Sequence, residues 1–160
     1  PDRAKIILSN YLMTFPRIKP FMEKTVAQCR LNGFVRVWSG RLWREADPNA
    51  MYKAVNALVQ GGAADLLMEA AIRGHKFIED KNCGGLVSFI HDELLYEMRE
   101  DRIDEVIPEL RRLHELEDIF KVPFLVTMKI GRSYGELKEI NMEELGDNAL
   151  AVTRRGEEAE

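Results

Sequence analysis

The stretch Leu86-Val87-Ser88-Phe89-Ile90-His91-Asp92-Glu93-Leu94-Leu95-Tyr96-Glu97-Met98 decides the fold. Apolar, β-favouring residues lie on both sides of a short charged centre, the pattern of two antiparallel strands joined at His91-Asp92-Glu93. The two carboxylates are not core residues, because an unpaired buried carboxylate is too costly to desolvate. They suit two different uses. Asp92 is either a turn residue bonded to its own backbone or, with Glu93, part of a site for a divalent cation. Side chains alternate faces along an extended segment, whereas a tight turn lets neighbours converge. One carboxylate alone is a poor magnesium site, since the ion takes an octahedron of oxygens, and no second carboxylate elsewhere in the sequence stands out as its mate.

Downstream of the hairpin, the spacing of Ile103, Val106, Ile107, Leu110 and Leu113 predicts a helix from about Asp101 to Glu117. Pro108 bends it or marks its first full turn. Val122 to Ile130 reads as a strand ending at Gly131, and Gly131 to Gly135 as a strand-ending turn rather than a phosphate loop, because no Lys-Ser/Thr pair follows. From Asn141 the chain turns acidic and poor in aromatics, which predicts a loosely ordered tail over 141–160.

Upstream, Asp47-Pro48 has the form of an N-cap and first helical residue. The helix it opens is expected to run to about Arg73 and stop at Gly74, burying Met51, Ala54, Val55, Leu58, Val59, Leu66, Leu67 and Ala70. Gly61-Gly62 inside it costs roughly 2 kcal/mol relative to alanines, which implies close approach of another backbone or a ligand, or else a plain kink. Before it, Phe34–Trp38 and Leu42-Trp43 bracket Ser39-Gly40-Arg41 as a small hairpin. Helices are predicted over about Arg3–Met13 and Arg17–Leu31, separated at Phe15-Pro16 and stopped by Asn32-Gly33. Helices first, then antiparallel strands with a packed helix, give an α+β fold class.

The chain has 160 residues, 46% apolar and 31% charged, as expected of a globular protein with a real core. No apolar run is long enough to span a membrane. Cys29 and Cys83 lack metal-ligand spacing and are read either as a single disulfide or, the simpler expectation, as two reduced thiols of a cytoplasmic protein. The net charge of −4 conceals an asymmetry: through Glu45 nine basic residues oppose three acidic ones, a local +6 that leaves −10 for the remainder. A basic segment of this kind suits either a solvated surface or nucleic-acid phosphates.

Lys53, Asn56 and Gln60 share one stripe of the long helix. Asn and Gln each offer amide donors and an acceptor, so the stripe is either an ordinary solvated face or a polar reading surface. His75 and His114 have no partner at metal-ligand spacing. Trp38, Trp43 and Tyr52 are of a type that stacks on bases, with hydrophobic packing the simpler expectation for the tryptophans.

Taken together, Arg3 to Leu137 resembles the C-terminal part of a family A DNA polymerase, the polymerase I class. Ile90-His91-Asp92-Glu93-Leu94 resembles that family's palm motif C. Asn56 to Asp65 resembles its Asn-x-Pro-x-Gln-Gly-Thr-Ala-Ala-Asp helix, with Leu58 in place of proline and Gly62 in place of threonine. Asn32-Gly33-Phe34-Val35 with Gly40-Arg41 resembles the turn and hairpin before that helix, and Val122-Pro123 the approach to a last strand. Tyr52 stands where the family often has a basic residue, with Lys53 adjacent.

The resemblance implies a palm/fingers segment over 1–140, an antiparallel palm-type sheet, and DNA-directed DNA polymerase activity by a two-metal mechanism. Asp92 becomes a Mg2+-binding catalytic carboxylate, Glu93 its supporting acid and His91 a neighbour of the primer terminus. Gln60 and Asn56 contact the minor groove, and Lys53 and Arg41 also contact DNA. Glu93, where related RNA polymerases typically have serine, favours DNA as product. The implied partners are primer-template DNA, a dNTP, and further polymerase segments or a subunit carrying the other catalytic aspartate and the nucleotide-binding helix. The implied setting is the cytoplasm of a bacterium or phage-infected cell. Two alternatives are a non-catalytic primer-template-binding or replisome scaffold module, and a phosphodiesterase using Asp92 and Glu93.

Overall fold

The computed structural model describes residues 2–140; the acidic segment expected from Asn141 lies outside them. The chain divides into two compact units, Pro1–Leu66 and Leu67–Glu160, each with its own apolar core. The fold class is α+β, as the sequence pattern predicts. The strands among the described residues form three separate two-stranded antiparallel sheets.

In the first unit, helix α1 (Asp2–Thr14) and helix α2 (Ile18–Asn32) are separated at the expected Phe15-Pro16 break. Helix α2 ends at Gly33, which takes a left-handed φ of 74° and donates its amide to the Cys29 carbonyl at 2.8 Å. Such an αL cap needs a residue without Cβ hindrance. The turn feeds strand β1 (Phe34–Arg36), paired with β2 (Leu42–Arg44) in the register Val35 opposite Trp43. Cys29, Val35, Met51 and Ala54 form the core here, with Trp43 and Leu58 packed against it.

Asp47-Pro48 does not open the long helix directly. The Asp47 carboxylate accepts the Asn49 amide at 2.9 Å and its carbonyl accepts the Ala50 amide at 3.0 Å, closing a tight turn. A 3₁₀ turn over Met51–Lys53 follows, and helix α3 runs Ala54–Lys81. The aspartate's cap-like bonding is therefore real but serves a turn, the local alternative open to such side chains.

In the second unit, α3 continues past Gly74 to Lys81 and is followed by Asn82, which has a φ of 49°. Gly74 is not a stop signal. A Cβ there would collide with the Tyr96 hydroxyl and lie 2.6 Å from His114 Nε2, so the glycine serves packing. Strand β3 (Gly84–Ile90) pairs with β4 (Glu93–Met98), with a register shift between Leu86 and Ser88. Helix α4 (Ile103–Glu115), preceded by a 3₁₀ turn, contains Pro108 in its interior and ends at Leu116 in a left-handed conformation. Its apolar face supplies Val106 and Leu110 to a core shared with Ile78 and Cys83.

The strand expected over Val122–Ile130 is reduced to β5 (Lys129–Ile130), paired with β6 (Lys138–Glu139). Val122 to Leu125 are exposed and have no ladder partner among the described residues; without cross-strand bonds an apolar β-favouring sequence does not hold strand geometry. The turn expected at Gly131–Gly135 does join the two strands, and a Cβ on Gly131 would sit 2.7 Å from the Glu136 carbonyl. Both cysteines are buried free thiols. Among the described residues no helix is long and apolar enough to cross a membrane.

Candidate functional site

The hairpin β3–β4 presents its charged tip as the sequence pattern predicts. Ile90 and Glu93 are the last paired residues, which leaves His91-Asp92 as the turn. His91 adopts a φ of 56°, a region histidine visits more readily than most non-glycine residues. All three tip residues are exposed. Among the described residues the Asp92 carboxylate has no hydrogen bond or ion pair. Glu93 differs: its Oε1 accepts from Lys129 Nζ of β5 at 2.9 Å. The pair holds the Lys129 ammonium above its ordinary range, through that hydrogen bond and then through Glu93's charge.

Behind the tip, the other end of β4 is anchored by a buried polar contact. The Tyr96 hydroxyl lies 3.0 Å from His114 Nε2 of α4. Burial pushes the Tyr96 phenol up to about 12 and the His114 imidazole down to about 4.

In the first unit, Asn56 and Gln60 stand one turn apart on α3, both exposed, with Asn56 Nδ2 3.3 Å from Gln60 Oε1. Lys53, also exposed, belongs to the 3₁₀ turn and not to the helix. Just beyond Gln60 the two glycines receive the β1–β2 loop. Trp38 Nε1 donates to the Gly62 carbonyl at 2.9 Å, and Arg41 Nη2 donates to the Gly61 carbonyl at 2.9 Å. A Cβ on Gly62 would stand 3.1 Å from Trp38 Cδ1, and one on Gly61 3.1 Å from Arg41 Nη2. The close approach at Gly61-Gly62 is thus made by two side chains of the preceding hairpin, and not by the backbone or ligand expected from the sequence. Trp43 packs on the core, while Trp38 remains partly exposed.

Arg41 is bound further by Asp65. Its Nε donates to Oδ1 at 2.9 Å, and the Ser39 hydroxyl makes a short hydrogen bond to the same carboxylate. The Ser39 bond first, and then Arg41, hold the Asp65 carboxyl below its ordinary range. Sequence reading singled out Arg41 but gave Asp65 no role, although both stand in the quoted motifs. It also missed Lys129, whose contact with Glu93 spans distant segments and leaves no local signal.

Among the described residues no group of three or more His, Cys, Asp and Glu is gathered as a metal cage. The donor chemistry at the tip fits one ligand of a magnesium ion: a free, exposed carboxylate, with room for water and for oxygens supplied by other groups.

Comparison with known proteins agrees with these features. The family model for DNA polymerase family A matches residues 1–136. DNA polymerase I of Pseudomonas aeruginosa is 29% identical over 143 residues, covering 83% of this chain and 16% of that protein. DNA polymerase theta of Drosophila melanogaster is 29% identical over 158 residues, covering 88% of this chain and 8% of that protein. Among solved structures, the POL domain of Pol1 from M. smegmatis, in complex with DNA primer-template and dNTP, matches with a TM-score of 0.68 and 25% identity. It covers 76% of this chain and 23% of that one. The chain spans less than a fifth of the length of these two curated relatives.

Proposed function

Because this chain belongs to DNA polymerase family A, we propose that it forms part of a DNA-directed DNA polymerase and carries one of its catalytic carboxylates. The observation that carries this reading is Asp92: exposed, bonded by no described residue, and fixed at the turn of a paired hairpin. Its partners are primer-template DNA and a dNTP, the ligands of the M. smegmatis complex, together with polymerase segments carrying the other catalytic aspartate and the nucleotide-binding helix. The bacterial relatives support a cytoplasmic setting, in a bacterium or a phage-infected cell.

Nucleotidyl transfer is a phosphoryl transfer, so catalysis consists mainly of positioning and charge stabilisation. Asp92, with oxygens from the other segments and the substrate, would hold Mg2+, which would supply positive charge to the developing charges of the transfer. Glu93 supports Asp92 from the adjacent position, and His91 lies beside the primer terminus. Asn56 and Gln60 offer amide donors to the acceptors that the minor groove presents. Lys53 contacts phosphate. Arg41 has Nε and Nη2 committed to Asp65 and Gly61, which leaves Nη1 for a phosphate oxygen.

The test is single-turnover primer extension by the complete polymerase with Asp92→Asn. The expected fall in rate is on the order of 10³-fold or more, with salt-dependent duplex affinity retained. A wild-type rate in that variant would overturn the assignment. Duplex binding without any synthesis by the assembled wild-type protein would favour a scaffold module instead.

A further inference from the structure

The tip of β3–β4 carries two adjacent carboxylates, yet they are not equivalent. Lys129 Nζ reaches Glu93 at 2.9 Å, while Asp92 is bonded by no described residue. Lys129 has another acid at hand: Glu139 stands opposite it in the β5–β6 ladder. Its ammonium nonetheless bonds Glu93. Both partners of the pair are about half exposed, and exposed ion pairs add little to stability. The consequence of the contact is electrostatic and geometric. It cancels one of the two negative charges at the tip and ties the Glu93 carboxylate to a neighbouring hairpin.

We infer that Lys129 is a positioning residue that withholds Glu93 from the metal, so that Asp92 alone is the metal-binding carboxylate of the tip. The inference rests on the polymerase reading for its metal. It concerns which of two neighbouring acids is available and adds a residue from a different strand pair to the site. With Lys129 removed, Glu93 is free to swing toward a cation at Asp92, and the local charge becomes more negative by one. Both changes tighten divalent binding. Removing one charge a few ångströms from a divalent ion in a solvated setting changes affinity by roughly threefold to tenfold at low salt.

The probe is Mn2+ alone, titrated into the complete polymerase, labelled selectively at these positions, and followed by paramagnetic broadening of the amide resonances of His91, Asp92 and Glu93. In the wild type, broadening centres on Asp92. In Lys129→Met the midpoint falls roughly threefold to tenfold, and the Glu93 side-chain resonances broaden with those of Asp92. Lys129→Arg keeps the wild-type midpoint. Lys129→Met combined with Glu93→Gln restores it. Lys138→Met, which removes the same charge from the partner strand β6, leaves it unmoved. The Lys129 ammonium itself gives a metal-free readout: the pH titration of its Nζ resonance moves to lower pH in Glu93→Gln.

An unchanged midpoint in Lys129→Met, an equal shift in Lys138→Met, or no broadening at the tip in any variant would overturn the inference. Asp92→Asn separates the two readings. If it abolishes the broadening while Lys129→Met changes nothing, Lys129 has no such role and Asp92 keeps its own. If broadening survives Asp92→Asn, the assignment of Asp92 fails.

Discussion

The Tyr96 hydroxyl and His114 Nε2, 3.0 Å apart, meet directly against the bare Cα of Gly74. Strand β4, helix α4 and helix α3 thereby share one polar contact inside an otherwise apolar core. Burial keeps both groups neutral near pH 7, and the tautomer of the imidazole sets which of the two donates. The hairpin that carries Asp92 is fixed at its base by this contact as well as by Met98 and the surrounding apolar residues.

Gly74→Ala tests the packing. Alanine favours helix over glycine by about 1 kcal/mol, but its Cβ would lie 2.6 Å from His114 Nε2 and 3.1 Å from Leu110 Cδ1, and would clash with the Tyr96 hydroxyl. The clash wins. The expected net loss is about 1–3 kcal/mol, read from the urea midpoint. Adding Tyr96→Phe, which removes the hydroxyl, recovers part of it.

His114 makes stability depend on pH in a definite direction. In the unfolded chain it titrates near 6.5, in the folded protein near 4. Between those values the unfolded state holds the extra proton, so stability rises with pH. Full stability is present above about pH 6.5 and is lost as pH falls toward 4, by about 3 kcal/mol at the limit. Denaturation curves across that window show the slope, and His114→Met, which cannot titrate, flattens it.

The elements readable from the sequence are those whose causes are local. Asn32-Gly33 stops α2 because a left-handed cap needs only the next few residues, and His91-Asp92 turns because the flanking strands pair with each other. Gly74 was misleading for the converse reason. Its local meaning is a helix stop, while its actual partners, Tyr96 and His114, come from later elements that no periodicity connects to it. The strand expected at Val122 fails similarly, since its pattern describes a residue's wish for a partner and not the partner's presence. At the candidate site, the identities of Asp92, Gln60 and Asn56 were legible. The ties that hold the surroundings, Asp65 on Arg41 and Lys129 on Glu93, were not.

Asp65→Asn probes the clamp beneath the β1–β2 loop. The carboxylate accepts from Ser39 and Arg41, which lowers its pKa, so its contribution is present above the ordinary carboxylate range and lost as pH falls through the lowered value. The Arg41 side chain is half exposed, and the expected effect is accordingly only about 1 kcal/mol. Trp38, bonded to the Gly62 carbonyl in the same loop, reports the loosening as a red shift in its fluorescence.

Gln60→Ala tests the proposed reading of base-pair geometry. Gln60 is exposed on α3 and is oriented by Asn56, whose amide lies 3.3 Å from its oxygen. That contact occupies the Gln60 acceptor and leaves its NH₂ group to donate. Minor-groove acceptors are common to A·T and T·A pairs, so a single amide donor there tests the shape of a pair without identifying it. One such hydrogen bond is worth about 1 kcal/mol. In the complete polymerase, extension from a matched terminus should therefore fall about fivefold to tenfold in Gln60→Ala. Extension from a mispaired terminus, whose displaced acceptors never met the donor, should change little, so discrimination narrows. Gln60→Glu, which keeps the size and loses the donor, should fall at least as far. Asn56→Ala, which frees the Gln60 side chain and removes the second amide offered to the groove, should fall as well. A Gln60→Ala enzyme that slows equally on matched and mispaired termini would show that the amide binds DNA without judging its geometry.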